Sequence, residues 1–218
     1  MASDLVAEAI DVGRVFGANG SEVVALQHAT CRIQRGDRIA LVGPSGSGKS
    51  TLLHLLAALD EPTTGTVTWP ALGERGTLRP SKISFVFQTE SLLAPLTVLE
   101  NIEVPRLLAG SNASEARNDA SEILGALDLG VLADKLPDEI SGGQAQRAAV
   151  ARSLITRPAL ILADEPTGQL DHHTAAHLLD LLLRRLEGSD TALVIATHDP
   201  FVAGRMKTQW TMDHGVLR

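Results

Sequence analysis

The stretch GPSGSGKS, residues 43–50, constrains this 218-residue chain more than any other. It fits G-x-x-x-x-G-K-[ST] and lies between a short apolar run, DRIALV (37–42), and a helix-like run, STLLHLLAALD (50–60). Glycines at 43, 46 and 48 let successive backbone N–H groups turn inward, and the helix start adds its positive end. Such a loop is built to cradle phosphates. Lys49 then reaches the β- and γ-phosphates, and the Ser50 hydroxyl is placed to ligate Mg²⁺. A chance glycine-rich turn would not need a buried strand before it and a helix after it. The implication is a nucleoside triphosphate site in an α/β core.

A second element is expected on a neighbouring strand, and LILADEP (160–166) supplies it. Four apolar residues end in Asp164 and Glu165, at the strand edge where open α/β sheets bind ligands. Asp164 is expected to hold Mg²⁺, directly or through water. Glu165 is expected to act as a base or to polarise the attacking water. Adjacent carboxylates imply hydrolysis, which disfavours a slow switch GTPase, and no [NT]-K-x-D guanine-reading element occurs in the sequence. On these two motifs alone a P-loop kinase stays open.

The rest of the chain arranges itself around these motifs. Runs 5–16 and 22–34 read as strands flanking GANGS, where Asn19-Gly20 is a hairpin signal. Residues 63–69 read as an edge strand and 82–87 as a buried one. From 88 to about 156 the character turns helical, with Ser114 as the expected cap of a helix over 114–129 and a small-residue helix over 144–155. Strand, helix, strand then follow at 159–163, 173–187 and 191–197, before a last hairpin turning at Asp213-His214-Gly215. The expected fold class is α/β: a P-loop NTPase core with an antiparallel β edge subdomain and an inserted α-helical subdomain. A single domain spans 1–218, its core being 1–87 and 157–218 and its helical part approximately 88–156.

Composition narrows the setting. Apolar residues make up 44% but only six are aromatic, so the core must be built from Leu, Ala, Val and Ile. A net charge of −7 with scattered Arg and Lys argues against a nucleic-acid partner. The lone Cys31 excludes an intramolecular disulfide and reads as a small buried apolar residue. The N-terminus has no basic start followed by an apolar run, so no signal peptide is expected. Apolar stretches fall short of the roughly 18–20 residues that span a bilayer.

The remaining puzzle is EISGGQAQR (139–147), a second Gly-Gly turn opening a helix, with no lysine. Ser141 can cap that helix, and Gly142 and Gly143 expose N–H groups beside its positive end. SGG alone would read as a capped helix start. SGGQ, followed by QR and then by the P-x-L-I-L-A-D-E-P strand, asks for more.

Together these motifs resemble those of ATP-binding cassette (ABC) proteins, the nucleotide-binding subunits of ABC transporters, over essentially the whole chain. GPSGSGKST resembles the Walker A loop, with Gly43, Ser45, Gly46, Gly48, Lys49, Ser50 and Thr51 around the phosphates, and LILADEP the Walker B strand. FVFQ places the Q-loop glutamine at Gln88, a hinge residue that would touch Mg²⁺ or the attacking water. ISGGQ resembles the signature, with Ile140 where Leu is usual. GQLD resembles the D-loop, ending in Asp171, with Gln169 where Asn or Ala is more usual. ATHD places the switch histidine, a γ-phosphate contact, at His198. Phe16 in RVFG matches the aromatic, usually Tyr, that stacks on adenine.

The resemblance implies ATP and Mg²⁺, and it implies a dimer. The signature residues Ser141, Gly142, Gly143 and Gln144 would complete the site of a second copy, so that ATP closes the pair and hydrolysis reopens it. LDEPTTGTV, LTVLENIEVP and QRAAVARSLITRPALILADEPTGQLD are similar to the MacB/LolD/FtsE-type ATPases. That group implies a four-helix permease partner, a place on the cytoplasmic face of the inner membrane, and export or extraction of a lipoprotein, drug, peptide or haem-like substrate. The apolar segment 89–108 would dock the permease. An FtsE-like mechanotransmitter controlling cell-wall hydrolases stays open. A soluble cassette of DNA repair or translation is less favoured, because the chain has neither a long coiled coil nor a tandem cassette. His172, His173 and His177 include an i,i+4 pair but read as a solvated helix face.

Overall fold

Why the runs beside the phosphate loop are apolar throughout becomes clear in the computed structural model, which describes residues 3–17, 22–89 and 91–218. The strands are β1 (Leu5–Phe16), β2 (Val23–Gln34), β3 (Arg38–Val42), β4 (Thr64–Thr68), β5 (Ile83–Val86), β6 (Leu160–Asp164), β7 (Ala192–Thr197), β8 (Thr208–Asp213) and β9 (Val216–Leu217). The helices are α1 (Lys49–Leu56), α2 (Val98–Leu108), α3 (Ala113–Ala126), α4 (Gly142–Leu154), α5 (His172–Arg185) and α6 (Pro200–Gly204). One sheet has the order β5-β6-β7-β3-β8-β9, parallel except for the last strand. A strand covered on both faces must be apolar at every position. In β6, Leu160 and Leu162 join the core on one face, while Ile161 and Ala163 join the core on the other.

The two faces have different covers. Helix α1 packs on the first with the antiparallel sheet β2-β1-β4, through Leu52, Leu53, Leu56, Val6 and Ile33. Helices α2 to α6 contribute to the second, through residues such as Ile102, Leu124, Val150, Leu178 and Val202. Among the described residues β4 pairs with β1 alone, so the expected edge strand is one. Cys31 is 8% exposed, and burial pushes its thiol up to about 12, in keeping with an inert core residue.

Helices α2 to α4 lie in the chain between β5 and β6, two adjacent strands of the parallel sheet. Helix α2 starts with a full capping box: the Thr97 hydroxyl accepts from Glu100 N, and the Glu100 carboxylate accepts from Thr97 N. The cap of α3 corrects the sequence expectation. Asn112, not Ser114, sits in extended backbone and accepts from Glu115 N at 2.9 Å. Ser114 falls inside the first turn, where its own backbone is already helical. Ser141 caps α4 as expected, so the helix starts at Gly142 rather than at the beginning of the small-residue run 144–155, and the two glycines lie in its first turn.

The terminal hairpin turns at His214-Gly215 and closes against the phosphate loop. Gly215 N donates to Ser47 O at 2.9 Å, and Gln27 N donates to Gly215 O at 2.7 Å. The Asn19-Gly20 hairpin signal lies outside the described residues. No helix among the described residues is long and apolar enough to cross a membrane.

Candidate active site

The phosphate loop leaves the C-terminal end of β3, a central strand, and enters α1 at Lys49. Two of its glycines are forced. A Cβ on Gly43 would lie 2.2 Å from the Met212 carbonyl oxygen, and one on Gly48 would lie 2.5 Å from that of Ala25, where φ is also +105°. The terminal hairpin and β2 thus wall the loop from behind. Lys49 is buried, and its Nζ donates to the carbonyls of Gly43 and Pro44 at 2.8 and 2.9 Å. Those two acceptors hold the ammonium beside the turned-in loop, where phosphate oxygens would compete for it.

A cavity of about 230 Å³ opens in front of the loop. Ser45, Gly46, Gly48, Lys49, Ser50 and Thr51 line one side of it; Gln88, Asp164 and Glu165 line the other. The parallel register makes this possible, since Asp164 at the end of β6 pairs with Ala196 at the end of β7. Asp164 is 6% exposed, and its Oδ1 has no hydrogen-bond partner. Leaving a buried polar atom unpaired costs about 1–3 kcal/mol, and more for a charged one. A divalent cation between this oxygen and the hydroxyl of Ser50 would remove that cost, so the donor set fits Mg²⁺.

Glu165 follows with a left-handed backbone, φ +46°, fixed by its N–H on Ala196 O at 2.9 Å and by its carbonyl accepting from Gly168 N at 3.0 Å. A left-handed glutamate is uncommon and strained. Here the twist turns the side chain toward β7, where Glu165 Oε2 lies 2.6 Å from His198 Nδ1. The carboxylate is nearly buried, at 12% side-chain exposure, while the imidazole is 68% exposed. The structure therefore joins two of the sequence-derived residues into a pair that neither motif announced.

A likeness to known proteins fits this geometry. The model of the family described as ABC transporter matches residues 26–168. The chain belongs to the ABC transporter family. It is an ATP-binding, ATP-hydrolysing subunit of that family, as the loop and carboxylates led one to expect. The lipoprotein-releasing system ATP-binding protein LolD of Bordetella pertussis is 41% identical over 218 residues, covering 97% of this chain and 94% of that protein. LolD of Legionella pneumophila (strain Paris) is 41% identical over 222 aligned residues, covering 99% and 98%. Among solved structures, the dimeric cassette MJ0796 bound to ADP and Pi matches with a TM-score of 0.89 at 33% identity, covering 97% of each chain. The LolD proteins fall in the group that the sequence phrases resemble, and the fold is the expected one.

The remaining site residues of the cassette divide into those at the cavity and those away from it. Residues 141–144 are not among its lining. Ser141 is exposed at the start of α4, closed by a capping box in which Ser141 Oγ accepts from Gln144 N and Gln144 Oε1 accepts from Ser141 N. Gly143 packs beside Leu170, whose Cδ2 would lie 2.9 Å from an added Cβ. Asp171 caps α5, accepting from Thr174 Oγ1 and N at 2.6 and 3.0 Å, and those bonds hold its carboxyl below the usual carboxylate range. Phe16 is not in the lining either, although its strand partner Val23 is.

Val23, Val24 and Ala25 are lining residues that the sequence reading missed. In the structure Val23 and Val24 are exposed at 64% and 53%, whereas β-branched residues in a strand read as core from the sequence. Gln146 and Arg152 of α4 were missed too. Gln146, 1% exposed, donates from Nε2 to Phe87 O at 3.2 Å; Arg152 donates to Ser91 O at 2.8 Å and Ser91 Oγ at 2.7 Å. The two hold the backbone on either side of Gln88. As for the histidines of α5, His177 contacts Asp128 at 3.1 Å and His172 packs its edge on Phe201. A larger cleft, about 730 Å³, lies near Arg38 and Lys207. Arg38 spends its guanidinium on the carbonyls of Gly36, Asp37, Leu186 and Thr191, so that cleft offers no free buried cation.

Proposed function

We propose that the chain is the motor subunit of an export or extraction system, working as an ATP-sandwich homodimer on a membrane permease. The observation that carries this reading is the division of the phosphate-binding parts. The cavity gathers the loop, both carboxylates and Gln88, but nothing from the exposed Ser141 end of α4. A helix start with inviting N–H groups and no ligand of its own chain suits the γ-phosphate held by a second copy.

In this reading the loop amides and Lys49 bind the β- and γ-phosphates, with Ser45 and Thr51 at the loop's mouth and start of α1. Phe16 stacks on the base. Ser50, Asp164 and Gln88 would hold Mg²⁺, which would supply neutralisation of the charge on the β- and γ-phosphates. Glu165 accepts the proton of the attacking water, and His198 holds the Glu165 carboxylate while its exposed ring reaches the γ-phosphate. Ser141, Gly142, Gly143 and Gln144 close the partner's site, and Asp171 follows at the same interface.

Exposed apolar side chains support a membrane partner. Phe87, Leu93, Leu107 and Leu108 are 37–70% exposed in the stretch beginning just before Gln88, and the rings of His54, Phe85 and Phe87 cluster at tilted angles beside it. A helix of a four-helix permease is the occupant that fits an apolar surface adjoining the Q-loop. In this reading the motor works on the cytoplasmic face of the inner membrane. Of the substrates left open by the sequence, the LolD relatives favour lipoproteins.

The experiment is Glu165→Gln with ATP and Mg²⁺. Turnover should fall about 100-fold or more while ATP binding remains, trapping a dimer on a sizing column. A variant that stays monomeric at saturating ATP in the presence of its permease would refute the sandwich.

A further inference from the structure

We propose that Arg14 is a positioning residue for the purine base: anchored on Asp60, its guanidinium backs the Phe16 ring and presents the ring's other face to the base. The Arg14 Cζ lies 4.5 Å from the Phe16 ring centroid. The same guanidinium donates from Nε to Asp60 Oδ2 at 2.9 Å and from Nη2 to Asp60 Oδ1 at 2.8 Å, a two-point bond that fixes its plane. Both side chains of this pair are about three-quarters covered, at 24% and 26% exposure. Phe16 itself is 42% exposed. With Arg14 over one face, the opposite face is the one left for the base.

Two further contacts show that this corner is held deliberately in place. Val15 N donates to Thr63 Oγ1 at 3.1 Å, and Thr63 N donates to Gly13 O at 2.8 Å. The turn after α1 is therefore stitched to β1 at Gly13, Arg14 and Val15, immediately before the ring. Phe16 pairs with Val23, which lines the nucleotide cavity, and adjacent strands lie about 4.8 Å apart. Because α1 begins with Lys49 and Ser50, one ion pair links the phosphate end of the site to its base end. The cation also draws electron density from the open face of the ring, which favours stacking on an electron-rich purine.

This inference rests on the reading that Phe16 receives the base, so the experiment separates the two. ATP turnover would be measured on the purified subunit with Arg14→Ala, Arg14→Lys, Phe16→Ala, Asp60→Asn and the Arg14/Phe16 double variant. Inorganic triphosphate, which has no base, would serve as a competing ligand. Arg14→Ala is expected to raise KM for ATP about 3- to 10-fold with kcat kept, and to leave inhibition by triphosphate unchanged. Asp60→Asn should shift KM in the same direction, Arg14→Lys should restore only part of the loss, and the double variant should be no weaker than Phe16→Ala. If Phe16→Ala leaves KM unaltered, the base-site reading falls and the proposal with it. If Phe16→Ala weakens ATP but Arg14→Ala does not, the proposal alone falls. Equal loss of triphosphate binding in Arg14→Ala would show a scaffold role and overturn it as well.

Discussion

At the start of α1 the chain closes around its glycine loop, whereas at the start of α4 it leaves one open. Gly43 is backed by the Met212 carbonyl, Gly48 by that of Ala25, and Lys49 is drawn inside by two loop carbonyls. Ser141 is exposed, and among the described residues its side chain is closed by the reciprocal bond with Gln144. Both helix starts carry the same physics, unpaired N–H groups at a positive helix end. The first is finished by tertiary packing into a cavity with carboxylates across from it; the second has a cap and a surface. An anion site becomes an active site through what the fold sets opposite it.

That contrast can be broken most severely at the finished end. Lys49→Ala should lower turnover about 100- to 1000-fold through lost phosphate binding, measured by ATPase assay and ATP titration. Retained binding would mean that the loop is not the phosphate cradle. A mixing experiment then tests whether the two ends belong to one composite site. Lys49→Ala and Ser141→Arg subunits should each be inactive alone, yet a 1:1 mixture should recover about a quarter of wild-type turnover, because half of the dimers carry one intact site of two. No recovery would place both elements in the same chain's site.

A smaller effect is expected where α4 touches the Q-loop. Gln146→Leu removes the bond to the Phe87 carbonyl and should lower kcat several-fold, about 1 kcal/mol in barrier, with KM for ATP kept. An equal rise in KM would instead indicate damage to the loop itself. The least effect belongs to the open end taken by itself: Ser141→Ala should cost about 1 kcal/mol of stability in urea unfolding of the monomer, the usual loss of a helix cap. A much larger loss would show that Ser141 has partners within its own chain.

Legibility followed locality. The loop, the apolar-then-acidic strand and the capped signature are each written in a few consecutive residues, and each stands in the structure at its expected end of strand or helix. Helix α2 was less legible, read only as part of the apolar segment 89–108, and its Thr97–Glu100 capping box came from the structure. The cap of α3 was misplaced because Ser114 and Asn112 are both capping residue types two positions apart, and only backbone geometry chooses between them. The lining role of Val23 and Val24 was hidden for a different reason: β-branched residues in a strand read as core until the strand is set beside the loop. Gln146 and Arg152 could not be found either, since their partners lie 59 and 61 residues away.

The sequence by itself determined that this chain builds an α/β core with a phosphate loop between a buried strand and a helix, because local patterning and a spaced glycine motif encode those directly. It also determined which carboxylates accompany the loop, since an apolar strand ending in two acids puts them in consecutive positions. Only the tertiary structure decided that Glu165 faces His198, that Asp164 is buried without a partner, and that Arg14 lies on Phe16. These are side-chain meetings between segments far apart in the chain. They depend on register between strands, a left-handed twist at one glutamate and the fit of a turn against β1, and no local propensity contains that information.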